Sequence, residues 1–196
     1  MAHEAGKAAL IGAEKDLLVG RDAKESVGLI PTEYGGRICR RCISDGDSSV
    51  YSYYATTEPG TPRRSAGPDA SGEWIPTKKS ECSGPDVAVG LWHTHPSELT
   101  HYQKGKVEFW YWSPSNSFTK RDFDTVDGLR KQIDGKWKVV FHSMNNPKHL
   151  PVFVTYRTKE KQVDENEPND GIKTDLYLHM PDRPQDVYDG IIIYPQ

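Results

Sequence analysis

The chain has 196 residues, 35% of them hydrophobic and 27% charged, enough for one compact domain with long loops but not for a second independent core. Formal charge is -3, and its 25 Lys and Arg are scattered rather than gathered into a stripe, which argues against a nucleic-acid binder. The N-terminus lacks the basic start and long apolar core of a secretory signal, and no apolar run reaches membrane-spanning length; the expectation is a soluble, leaderless protein, cytoplasmic when made, with no membrane partner.

Residues 4–19, EAGKAALIGAEKDLLV, place Ala9, Leu10, Ala13, Leu17 and Leu18 at helical spacing with few breakers, which predicts an amphipathic helix. In GLIPTEYGGRICRR, Pro31 and the Gly35-Gly36 pair interrupt a short strand running to about Cys39, and 50–55, VYSYYA, reads as another. The Gly-, Pro- and Ser-rich stretch 56–86 predicts a long inserted loop with a short strand near Trp74 and Ile75; loops of that length tend to be functional or mobile.

Residues 87–92, VAVGLW, form the near-continuous apolar run of a strand buried on both faces. A second inserted loop is expected at 96–118, within which VEFWYW at 107–112 is itself β-prone. A helix is predicted from about Lys120 to Ile133, with Phe123, Val126, Leu129 or Arg130, and Ile133 on one side. Strands at 137–142 and 151–157, an exposed charged loop at 158–171, and closing strands near 175–179 and 190–194 complete the pattern. The order predicts one α+β domain over 1–196, a central mixed or antiparallel sheet flanked by an N-terminal helix and a second helix after His95.

Cys39, Cys42 and Cys82 are too few for a disulfide framework. Cys39 and Cys42 form a C-x-x-C, compatible with a redox pair or half of a zinc site, but closed structural zinc sites want four ligands, and ordinary reduced thiols on or beside a strand are the expectation.

The chemistry concentrates in GLWHTHP, residues 90–96. Along an extended strand, residues two apart point the same way, so His93 and His95 present two imidazoles to one point while Thr94 faces the other side. Either histidine alone is an ordinary core or surface residue; the pair is what a metal needs, and a catalytic zinc requires a third protein ligand plus a place for water. Asp122 in FTKRD supplies a carboxylate in the first turn after Thr119, where it also completes a plain capping motif. Glu33, which opens TEYGGRI before two glycines, is the candidate general base, with a solvated strand entry as its plain alternative.

Taken in order, E-x-G-G-x-I (Glu33, Gly35, Gly36, Ile38), H-x-H-P (His93, His95, Pro96) and F-[S/T]-x-x-D (Phe118, Thr119, Asp122) resemble the JAB/MPN/JAMM metallopeptidases. More closely, EYGG, WHTHP and FTKRD are similar to a JAMM-related domain at the C-termini of Rhs-type and other polymorphic bacterial toxins, over roughly residues 5–160. The resemblance implies an MPN-like (cytidine-deaminase-like) fold and a zinc ion held by His93, His95 and Asp122, with water as the remaining ligand. It also implies Glu33 as acid/base, Thr119 supporting a tetrahedral intermediate, and hydrolysis of a peptide or isopeptide amide in a protein or peptide substrate. A toxin of this kind implies export by a dedicated secretion system and a cognate immunity protein as partner. Two departures stand out: threonine replaces the family's usual serine at 119, and the interval 96–118 is longer than the compact family motif. Trp110 and Trp112 in that interval are candidate walls of a substrate groove, with a buried strand as the plainer account. A catalytically silent MPN-like protein-binding module is the alternative function, and a toxin hydrolysing another bond, such as a cell-wall crosslink, a third.

Overall fold

The structure is a computed structural model and describes residues 1–20, 22–43, 50–60, 78–119, 122, 132–133, 136–137, 150–163, 171–179 and 192–193. Among these the chain forms α1 (Ala2–Leu18), then β1 (Tyr34–Cys42), β2 (Tyr51–Ala55), β3 (Glu58–Pro59), β4 (Val87–His95), β5 (Leu99–Lys104), β6 (Val107–Trp112), β7 (Gln132–Ile133), β8 (Lys136–Trp137), β9 (Leu150–Arg157), β10 (Lys161–Gln162), β11 (Ile172–His179) and β12 (Ile192–Ile193).

The apolar run at 87–92 is central because it is covered on both faces. The main sheet has the order β12-β11-β9-β4-β1-β2, with β3 paired to β1. β4 runs antiparallel to β1 and parallel to β9, which makes the sheet mixed. One face of β4 carries Trp92 and Thr94, both fully buried, and α1 packs there, with Ala2, Ala5 and Ala9 against Ile38 and Trp92. Gly6 permits that close approach: a Cβ there would stand 2.1 Å from Thr155 Oγ1 on β9. Arg157 donates two hydrogen bonds to Glu14, at 2.6 and 2.7 Å, so the charges buried between α1 and β9 are paired and bidentate. Registration puts Leu91, His93 and His95 of β4 on the opposite face, in line with Val152, Val154 and Tyr156 of β9, and Asp175 and Tyr177 of β11 continue that face.

Several expectations change. The strand expected at 87–92 continues to His95, so both histidines are held within the sheet rather than at its exit. The interval 96–118 is not an open loop: β5 and β6 pair from Leu99↔Trp112 to Lys104↔Val107, turning at Gly105, whose φ of 65° suits glycine. β10 adds to β6, so the charged segment at 158–171 begins with a strand. The predicted helix does not reach Ile133, because Gln132–Ile133 pairs as a strand with Lys136–Trp137; Asp122 is helical, and 120–121 and 123–131 lie outside the described residues. So do Trp74 and Ile75, 138–142, and all of the closing strand at 190–194 except Ile192–Ile193. The 56–86 excursion contains β3 and a 3-10 turn at Lys78–Ser80.

The expectation of reduced thiols is overturned for two of the three cysteines. Cys39, fully buried on β1, is bonded to Cys82 with an S–S length of 2.00 Å, while Cys42 is an exposed thiol at the strand end. The C-x-x-C spacing is therefore neither a redox pair nor half of a metal site. The partner of Cys39 arrives from 43 residues away, a distance that local spacing does not reveal.

Candidate metal centre

β4 delivers His93 and His95 to one face with their Nε2 atoms 3.0 Å apart, and both side chains are buried. The chain then makes the β5–β6 hairpin and returns along the same end of the sheet. On this return Ser113 N–H donates to Glu98 O at 3.0 Å and Ser115 N–H to Arg157 O at 2.8 Å. The next residue, Asn116, offers its carbonyl to His95 Nδ1 at 2.9 Å. Three residues later Thr119 starts the turn containing Asp122, whose Oδ1 lies 3.1 Å from His93 Nε2 and 3.2 Å from His95 Nε2.

Asp122 caps the turn with one oxygen and faces the imidazoles with the other. Oδ2 accepts hydrogen bonds from the Thr119 backbone N–H and from the Thr119 hydroxyl, the latter at 2.7 Å, and this is the reach-back of a capping box. Oδ1 is thereby turned toward the imidazoles.

The three ligand atoms form a nearly equilateral triangle with edges of 3.0, 3.1 and 3.2 Å. A tetrahedral zinc with nitrogen and oxygen ligands about 2.0–2.1 Å away needs edges of about 3.3–3.4 Å, so the set closes on zinc with a few tenths of an ångström of adjustment. The tautomer fits too. A carbonyl can only accept, so His95 Nδ1 carries a proton, and once Nε2 has lost its own, Nε2 offers its lone pair to the centre, the arrangement in which an outer partner fixes a metal-ligating histidine. Two nitrogens and a carboxylate oxygen this close in a buried place call for a cation, either a proton or a metal, among them.

A metal ion would compete with protons for this cluster. Burial alone disfavours a charged His95, but the hydrogen bond and charge of Asp122, the Asn116 carbonyl and the charge of Glu33 outweigh it and raise the pKa above the ordinary 6.5. For Asp122 burial pushes upward, and the hydrogen bonds and charges of His93 and His95 outweigh it, holding the carboxyl well below the usual carboxylate range. In the metal-free protein the His95 contribution to stability is full below the ordinary histidine value and fades as pH rises through the raised one. The Asp122 contribution is present above the ordinary carboxylate value and is lost as pH falls through the depressed one. A divalent cation must displace the His95 proton, so its affinity rises with pH through the window above 6.5. The gain in thermal midpoint on adding zinc is therefore expected to be larger near about pH 8 than near about pH 6. Equal gains at the two values would remove His95 from the ligand set.

Glu33 lies near this cluster. Gly35 pairs with His93, and continuing that register past the strand end puts Glu33 across from His95. Its charge acts on His95, so the residue just before β1 contributes an acid near the triangle. Thr119 is close by, with its hydroxyl donating to Asp122 Oδ2. Trp112 is buried, in register with Leu99, and packs rather than walls an open groove. Trp110 is half-buried, its ring 5.5 Å from that of the exposed His101. The cation-sized cluster among the described residues comprises His93, His95 and Asp122, without His101. Sequence reasoning did not single out Asn116, whose part is played by a backbone carbonyl that carries no residue-type signal.

No protein-family model, curated protein or solved structure matches the chain. The functional reading therefore rests on this geometry and on the motifs.

Proposed function

We propose that the chain is a zinc-dependent amide hydrolase of JAMM type, cleaving a peptide or isopeptide bond. One observation carries the reading: His93 Nε2, His95 Nε2 and Asp122 Oδ1 converge within 3.2 Å of one another, near enough to Glu33 for its charge to act on His95. His93, His95 and Asp122 would hold the zinc, which when bound would supply a water with its pKa lowered to about 7 and polarisation of an amide carbonyl. Glu33 takes a proton from the water as its oxygen adds to the carbonyl carbon. It returns that proton to the amide nitrogen as the C–N bond breaks, leaving an acid and an amine. His95 keeps its lone pair on the centre by donating Nδ1–H to Asn116, and Thr119 keeps Asp122 turned inward.

The likeness to toxin-borne domains extends the proposal to delivery into another cell and neutralisation by an immunity protein. The Cys39–Cys82 bridge supports a stage outside a reducing cytosol, since disulfides persist in oxidising compartments.

Elemental analysis after zinc loading and desalting tests the centre. The wild-type chain is expected to retain one equivalent and the His93→Ala, His95→Ala double variant essentially none; equal retention would overturn the assignment. Zinc retained without cleavage of any member of a panel of peptides and ubiquitin-like conjugates would favour the silent binding module.

A further inference from the structure

Asp175 is a buried carboxylate, 2% exposed, that the mechanism does not use. It sits on β11 in register with Val154, which is in register with His93, so it shares the face and the row of the metal ligands. Burying a carboxylate is costly unless hydrogen bonds replace its hydration. Here Oδ2 accepts from Ser117 Oγ at 2.6 Å and from Tyr156 OH at 2.8 Å, and Tyr156 is in register with His95.

These bonds fall on the return segment between β6 and Asp122. Ser115 is fixed by the carbonyl of Arg157 and Ser117 by Asp175, which leaves Asn116 held on both sides. The Asn116 carbonyl is the group that sets the His95 tautomer. One residue beyond Ser117, the Phe118 ring packs at a tilt against Tyr177, centroids 5.6 Å apart, and Thr119 then grips Asp122. A single carboxylate thus anchors the stretch that orients one ligand and delivers another.

We propose that Asp175 is a positioning residue of the metal centre, acting through Ser117 and Tyr156 to hold the Asn116 carbonyl against His95 and to place Asp122, without itself ligating the ion. The proposal rests on the zinc reading above. Outer partners of metal ligands are commonly worth about 10–100-fold in affinity, and that is the effect expected here.

The test measures zinc affinity by competition with a chromophoric chelator, together with the visible spectrum of the cobalt(II)-loaded protein. Asp175→Ala and Ser117→Ala are each expected to weaken zinc binding by about 10–100-fold and to alter the cobalt spectrum. Asp175→Asn, whose amide oxygen still accepts both hydroxyls, is expected to restore binding to near the wild-type value. Ser117→Ala guards against misfolding, since it removes one hydroxyl from a half-buried segment and leaves the sheet intact. Wild-type affinity and spectrum in both alanine variants would overturn the role of Asp175 while leaving the zinc reading standing. A wild-type chain that binds neither metal would instead remove the zinc reading.

Discussion

Glu33→Gln is expected to lower turnover of a cleavable conjugate by about 10²–10⁴-fold while the protein retains its zinc. The substitution keeps the size of the side chain and its place near His95, and removes its charge and its capacity to accept a proton. Because the group acts on the attacking water and the departing nitrogen, the loss should fall on kcat, with KM little changed. The Glu33 charge also contributes to the raised pKa of His95, so zinc binding by the glutamine variant should be slightly less pH-dependent than that of the wild type. Undiminished turnover would strip Glu33 of its role as base. Loss of the zinc itself would recast it as a ligand.

What could be read from the sequence follows the range of the interactions involved. The period of two along WHTH put His93 and His95 on one side, and the apolar run before them marked a buried strand with the pair at its exit; both signals lie within a few residues. Thr119 and Asp122 were visible for the same reason, since a capping turn closes over three residues. Their convergence was suggested only by the ordered motifs, because the distance from Asp122 to the histidines depends on how the hairpin folds back. That hairpin was hidden by the mixed composition of 96–118, where LTHYQK resembles a polar loop until it is paired with VEFWYW. Asp175 gives no local sign at all: in TDLYLH it looks like the solvent-facing member of an alternating strand, and only the register with β9 reveals it as buried. Trp112 errs the other way, an aromatic that looked available and is packed away once Leu99 lies opposite.

Removing the Cys39–Cys82 bridge is expected to cost about 4 kcal/mol of stability, the loop-closure value for a cross-link spanning 43 residues. The bridge fastens the segment leading into β4 onto β1, where polar contacts hold it as well. Arg41 pairs with Asp86 at 3.0 Å, Tyr54 OH donates to the same carboxylate at 2.8 Å, and Ser80 donates to Glu58 at 2.7 Å. Those contacts survive in Cys82→Ala, so the variant should still fold, and the loss should come mainly from the freer unfolded chain. Urea unfolding is expected to show a lower midpoint with a slope no smaller than that of the wild type, because an untethered chain exposes at least as much surface. Glu33 and both histidines lie at the far end of the β1–β4 pairing from Cys39, so zinc retention should persist while stability falls. Thiol labelling of the denatured protein separates this account from the reduced one: without reductant only Cys42 should react, and with reductant all three cysteines. Three reactive thiols before reduction, or the same unfolding midpoint with and without reductant, would show that the sheet holds this segment without the covalent link.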